Sequence, residues 1–272
     1  MLYNNTRNIA DRLFNIQRSL VICMKEWLNT ITNIGEQMLL SGAEVHRVED
    51  SVLRMCRAIG AARADVFIIT SSMIVTVYSE DEQAFTQTRR ITSASTDMER
   101  LHRLNDLSRQ ICSGNTGLDT AKEEYKRIVF SKGYPLWLEF LAYGMIAGAF
   151  ALFFGGGATD GLFGFLIAAV LRAVTLLTEK AELGRIFDRF FCSFLVSLLS
   201  YVLLFLGAIS TVDYVIIGNI MLLIPGIGLT NALRDLFVGD SITGLFRLIE
   251  ALLMALAIAA GHFLVTLGVG AL

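Results

Sequence analysis

Apolar and polar positions follow two different regimes along the chain. From about residue 19 to 59 the apolar residues recur at helical spacing, with Gly42 and Gly60 as punctuation, which predicts helices at roughly 20–40 and 43–59. Asp65-Val-Phe-Ile-Ile-Thr70 and Met73-Ile-Val-Thr-Val-Tyr78 are short β-branched runs that read as strands. Glu80-Asp81-Glu82 suits a turn, and 84–91 alternates as a third strand. Two amphipathic helices, about 97–112 and 118–130, are expected on either side of Ser113-Gly114-Asn115. Residues 1–134 therefore read as a small α+β domain.

From residue 135 the pattern changes to long apolar stretches, about 135–154, 161–178, 190–209, 213–230 and 243–270. About 20 helical residues cross the hydrocarbon core of a bilayer. The predicted fold is an α-helical membrane protein: five transmembrane helices over 135–272, the fourth broken at Pro225-Gly226, after an N-terminal α+β cytoplasmic domain. The fourth span is marginal in length. The fifth is long enough to tilt, or to protrude through its polar start from Asp240 to Glu250.

Charge sharpens this division. The chain has 272 residues, 54% of them hydrophobic, and a mean hydropathy of +0.58. Only six of the 23 Lys/Arg and nine of the 25 Asp/Glu fall after residue 134. A net charge of −2 argues against nucleic acid as a partner. Cys23, Cys56, Cys112 and Cys192 are scattered without a C-x-x-C, so neither metal nor redox cofactor is expected, and a reducing compartment suits them. Arg7, Asp11 and Arg12, with no apolar core before residue 20, do not resemble a cleaved signal peptide.

Basic residues in the connections set orientation. Lys122, Lys126, Arg127 and Lys132 precede the first span; Lys180, Arg185 and Arg189 lie in one loop and Arg234 in another, all on the same side. The expectation is a bacterial inner-membrane protein with a cytoplasmic N-terminal domain and a periplasmic C-terminus. Five spans is an odd number, and a second unit of reversed orientation would complete an inverted repeat. No such unit follows in the sequence, which points to a partner.

The candidate chemistry gathers around the broken span. Pro225 lacks an N–H and clashes with the preceding turn, so the segment is either an ordinary kink or a discontinuous helix that presents the Gly226 end to an anion. Asn231 and Asp235 share a helix face, and Arg234 points away from it. Arg234 is either a positive-inside anchor or a carboxylate ligand, and Asp235 its solvated neighbour or a proton carrier. Asn219, deeper in the span, offers either an interhelical hydrogen bond or a substrate contact. Asp240 most simply caps the last helix. Arg247 and Glu250, three apart, could form an intrahelical pair or a gate. Glu139 and Arg172 are charges inside predicted spans; each needs a partner or water, or snorkels to an interface. Glu44, Arg47 and Glu49 form either a helix-surface ion-pair set, with Arg47 reaching Glu44, or a ligand site. Enzymatic activity is not expected, because Ser41 and His46 have no acid to orient them. Without a P-loop, ATP is not the direct drive.

The segment Leu40-Ser41-Gly42-Ala43-Glu44-Val45-His46-Arg47-Val48-Glu49 resembles the Ser-Gly-Ala-Glu-x-x-Arg-Val-Glu signature of the threonine/serine exporter family. Pro225-Gly226, Asn231-Ala, Arg234-Asp235, Gly239-Asp240 and Gly244 are similar to that family's second signature, and Phe154-Gly155-Gly156-Gly157 fits its first-span turn. The resemblance covers about residues 30–265. Fused members carry about ten spans, so it implies the larger subunit of a split exporter, oligomeric with a smaller membrane subunit that resembles the second half of fused members. It further implies a small carboxylate substrate, succinate-like ahead of threonine or serine. The other readings are a membrane-anchored sensor or assembly subunit without its own transport site, and a membrane-bound hydrolase.

Overall fold

A computed structural model describes residues 2–69, 71–92, 95–131, 133–181 and 183–270, with side chains from residue 21 onward. Thr70 and Lys132, which the strand and charge readings used, lie outside the described residues. The chain divides into two compact units, Met1–Ser131 with Leu233–Leu245, and Lys132–Ala232 with Phe246–Leu272.

The first unit begins with α1 (Leu2–Leu40) and α2 (Val45–Ala58). Helix α1 starts well before the expected residue 20, since no Gly or Pro stops it before Gly35. Strands β1 (Arg63–Ile69), β2 (Ser72–Tyr78) and β3 (Ala84–Arg90) form an antiparallel sheet in that order, with Val66 opposite Val75 and Ile68 opposite Met73. The period of two then decides the faces. Met73, Val75 and Val77 are buried in the core with Ile31, Ile34 and Met38 of α1 and Val45, Val48 and Val52 of α2. On the opposite face Thr76 and Thr86 share a hydrogen bond at 2.9 Å.

Helices α3 (Met98–Cys112) and α4 (Leu118–Val129) complete this core through Leu104, Leu107, Ile111, Ala121 and Ile128. Asp97 caps α3 by accepting from the Arg100 N–H at 2.9 Å. Burial pushes the Cys56 thiol up to about 12, which leaves it a packing residue rather than a nucleophile.

The second unit holds α5 (Leu136–Phe153), α6 (Ala158–Lys180), α7 (Arg185–Phe205) and α8 (Val212–Ile220), followed by parts of α9 (Gly226–Val238) and α10 (Ser241–Gly270). Among the described residues four helices, α5, α6, α7 and α10, are long and apolar enough to cross a membrane. The expected fourth span, 213–230, is not a single helix among them. Helix α8 has nine residues, about 14 Å at 1.5 Å per residue, less than half a hydrocarbon core. Helix α9 resumes after Pro225.

Small residues let these helices approach closely. An added Cβ at Gly218 of α8 would lie 2.5 Å from the Ala147 carbonyl oxygen of α5, and one at Gly148 would lie 2.8 Å from the Gly161 oxygen of α6. The Gly144-x-x-x-Gly148 pair is thus a packing surface. Asp160, buried near the start of α6, accepts from the Gly157 N–H at 2.8 Å and the Ser210 N–H at 2.9 Å. Its two oxygens tie the Gly-rich turn after α5 to the turn before α8.

Gly218→Ala should destabilise the second unit by about 1–3 kcal/mol through backbone overpacking. Gly268→Ala, with nothing near its added Cβ, should be neutral. Thermal unfolding of the two variants in detergent checks the contrast.

Candidate functional site

Helices α1 and α9 end in the same way within the first unit, as do α2 at Gly60 and α3 at Gly114. At the end of α1, Gly42 takes a φ of +93°, its N–H donates to Leu39 O at 3.1 Å, and the Ala43 N–H donates to Met38 O at 3.0 Å. At the end of α9, Gly239 takes a φ of +108°, its N–H donates to Leu236 O at 3.3 Å, and the Asp240 N–H donates to Asp235 O at 2.9 Å. Both are Schellman stops, in which glycine supplies the left-handed residue that other side chains resist. Each glycine is followed by charged residues of one of the two sequence signatures.

These stops bring the signatures together within the first unit. Arg234 Nη1 donates to Glu44 Oε1 at 2.8 Å, across 190 positions of sequence. Arg47, the expected partner of Glu44, is exposed on α2. The Arg234 side chain is 59% exposed and that of Glu44 13%, so the acid is fixed while most of the guanidinium faces solvent. Asp235 is buried beside this pair in sequence.

One turn along α2, His46, Glu49 and Asp240 place one ligand atom each within 4.8 Å of one another. Glu49 Oε1 accepts from the Ile68 N–H at 3.0 Å. Burial raises the Glu49 carboxyl above the usual carboxylate range. The negative charge of Asp240 adds to this, while the Ile68 N–H and His46 oppose it. Asp240 occupies the cap position of α10, its carbonyl accepting from the Gly244 N–H at 2.9 Å. Its Oδ2 is buried with no hydrogen-bond partner among the described residues.

In the second unit, Glu139 of α5 and Arg172 of α6 become each other's partners. Arg172 donates through Nε at 3.0 Å and Nη2 at 2.6 Å to Glu139 Oε2. Glu179 lies 3.3 Å from the same guanidinium, which also stacks over the Tyr143 ring at 5.4 Å. Glu250 of α10 pairs with Arg185 of α7 at 2.7 Å; Arg247 lies one turn before it on α10.

Asn219 is fully buried in α8 and donates to Val215 O at 2.9 Å and Gly164 O at 3.3 Å. Its Oδ1 has no partner among the described residues. Just beyond it the backbone leaves the helix. Leu223 donates to Ile220 O at 2.8 Å and Gly226 to Ile224 O at 2.8 Å, while Pro225 O accepts from Leu229 at 2.9 Å. Local bonds thus meet polar groups that a bilayer would leave without partners. Asn231 follows in α9, half-buried.

Three contributors carried no recognised site signal in the sequence. His46 offered only a base beside Ser41 with no acid to orient it. Asp160 gave only its place at the third position of a helix opening. Asp188, whose Oδ1 accepts from Thr178 Oγ1 at 2.5 Å, has a partner ten residues away, beyond helical spacing.

A family model described as "Putative threonine/serine exporter" matches residues 29–269. The "Probable succinate transporter subunit YjjP" of Klebsiella aerogenes is 27% identical over 227 residues, which cover 82% of this chain and 86% of that protein. The protein of the same name in Escherichia coli is 26% identical over 230 residues, 84% of this chain and 88% of the relative. The "Threonine/serine exporter" of Corynebacterium glutamicum is 26% identical over 243 residues, 86% of this chain but only 49% of the relative. No solved structure is similar to the chain.

The Glu44–Arg234 pair should show a coupling of about 0.2–1 kcal/mol, modest because the Arg234 side chain is largely solvated. A double-mutant cycle of Glu44→Gln and Arg234→Gln on thermal stability reads this out. The coupling should shrink as salt rises.

Proposed function

This chain belongs to the threonine/serine exporter family, and we propose that it is one subunit of a secondary-active exporter of small carboxylate metabolites. The observation that carries this reading is the loss of helix at Met221–Pro225 inside an apolar stretch, next to a fully buried Asn219 with an unmatched Oδ1. Non-helical backbone at membrane depth is tolerated where protein buries it or a wet cavity is lined by it. Transporters build substrate sites from such interrupted helices.

In this reading α8 and α9 together form the broken fourth of five spans, and substrate is handled along the stretch from Asn219 through Pro225, Gly226 and Asn231 to Arg234 and Asp235. Arg234 holds Glu44 in the resting state and exchanges it for a substrate carboxylate, which a guanidinium binds through paired hydrogen bonds. Charged pairs that can part serve as gates, so Glu139–Arg172 and Arg185–Glu250 fill that role. Asp235, Glu139 or Glu250 carries the coupling proton, and Arg247 stands beside Glu250 at the mouth.

A second membrane subunit supplies the other half of the path. The naming of the two similar succinate proteins as subunits supports this, as does the chain spanning about half of the Corynebacterium exporter. Dicarboxylate stands ahead of threonine or serine because both similar proteins of comparable length are named for succinate. In this reading the N-terminal unit faces the cytoplasm and the C-terminus the periplasm of a bacterial inner membrane, an orientation that the basic connections support.

Proteoliposomes holding the chain and a second membrane subunit should release preloaded succinate, with threonine and serine as separate arms. Arg234→Ala should slow release at least about tenfold, the cost of one lost charge-assisted contact, while membrane insertion and subunit assembly persist. Unchanged release in Arg234→Ala would remove Arg234 from the path. Full release by the chain alone would remove the second subunit.

A further inference from the structure

His46, Glu49 and Asp240 take no part in the proposed export path. His46 and Glu49 are three residues apart and share a face of α2. The left-handed Gly239 turn carries Asp240 to them, so that ligand atoms of all three lie within 4.8 Å of one another. An independent observation concerns Asp240 itself: its Oδ2 is buried and accepts no hydrogen bond among the described residues. Leaving a buried carboxylate oxygen without a donor costs about 1–3 kcal/mol. Arg234, the nearby cation of the same segment, is bound to Glu44 instead.

We propose that His46, Glu49 and Asp240 bind a divalent transition-metal ion, zinc or manganese, that fastens the Gly239–Asp240 turn to α2. One imidazole nitrogen with two carboxylate oxygens suits these ions; calcium and magnesium favour all-oxygen shells. Metal–ligand bonds of about 2.0–2.2 Å set ligand atoms roughly 3–3.5 Å apart around one ion, so a closure of about an ångström completes the set. The Ile68 N–H holds Glu49 Oε1 at 3.0 Å, which orients the carboxylate as outer hydrogen bonds orient metal ligands. His46 is exposed, so water reaches the remaining coordination positions. The ion also removes the like-charge contact of Glu49 with Asp240.

The test uses the full chain in detergent without an affinity tag, stripped with chelator and dialysed against zinc or manganese chloride. Elemental analysis should find a single ion per chain, and calorimetry should find binding weakened at least about tenfold in both Asp240→Asn and His46→Ala. The exposed His46 makes its alanine variant the safer for folding, and its melting temperature in chelator should equal the parent's. Zinc should raise the melting temperature of the parent alone. Metal content at background in the parent, or binding of equal strength in parent and both variants, overturns the site.

Discussion

Gly42 and Gly239 determine where the charged residues of this protein meet. A helix that stops at a left-handed residue reverses direction within two positions, and whatever follows is delivered at a fixed angle. A side chain at such a position costs about 1–2 kcal/mol, so glycine holds the turn without strain. The first stop delivers Glu44, His46 and Glu49; the second delivers Asp240 and leaves Arg234 one turn back. A guanidinium on Glu44 and a cluster of imidazole and carboxylates are what two such turns produce when they face each other.

The second unit answers a different constraint, the supply of backbone partners away from water. Its long helices satisfy their own amides and pack through glycine and alanine, as at Gly218 against Ala147 and Gly148 against Gly161. Where regular helix fails, between Met221 and Pro225, short local bonds take over. Charges obey the same rule: Glu139 and Arg172 share a bond network with Tyr143 and Glu179. Both side chains of the Glu139–Arg172 pair are half-buried, and such a pair adds little net stability.

Much of this was legible from residue pattern. β-branched runs located β1 and β2, alternation located β3, and continuous apolar runs located α5, α6, α7 and α10. The start of α1 was not, because no Gly or Pro punctuates the chain before Gly35. The fourth stretch, expected as a span broken at Pro225-Gly226, already ends its first helix at Ile220, because hydropathy does not register a nine-residue limit. Pairings were the least legible. Arg47 looked like the partner of Glu44 at helical spacing, whereas the partner is Arg234, 190 positions away. Glu139 and Arg172 each called for a partner, water or an interface, and nothing in spacing alone could match them to each other. In the sequence His46 stands out only beside Ser41, as a base without an orienting acid, and its ligand neighbours Glu49 and Asp240 come together only through the fold.

The convergence of the two signatures is the claim on which the other assignments rest. Cross-linking in native membranes tests it directly, in a chain whose four cysteines have been replaced. Glu44→Cys with Arg234→Cys should be joined efficiently by a short bis-maleimide. Arg57→Cys with Arg234→Cys should not, since Arg57 lies about 20 Å further along α2 at 1.5 Å per residue. Equal, background-level cross-linking of both pairs would contradict the account.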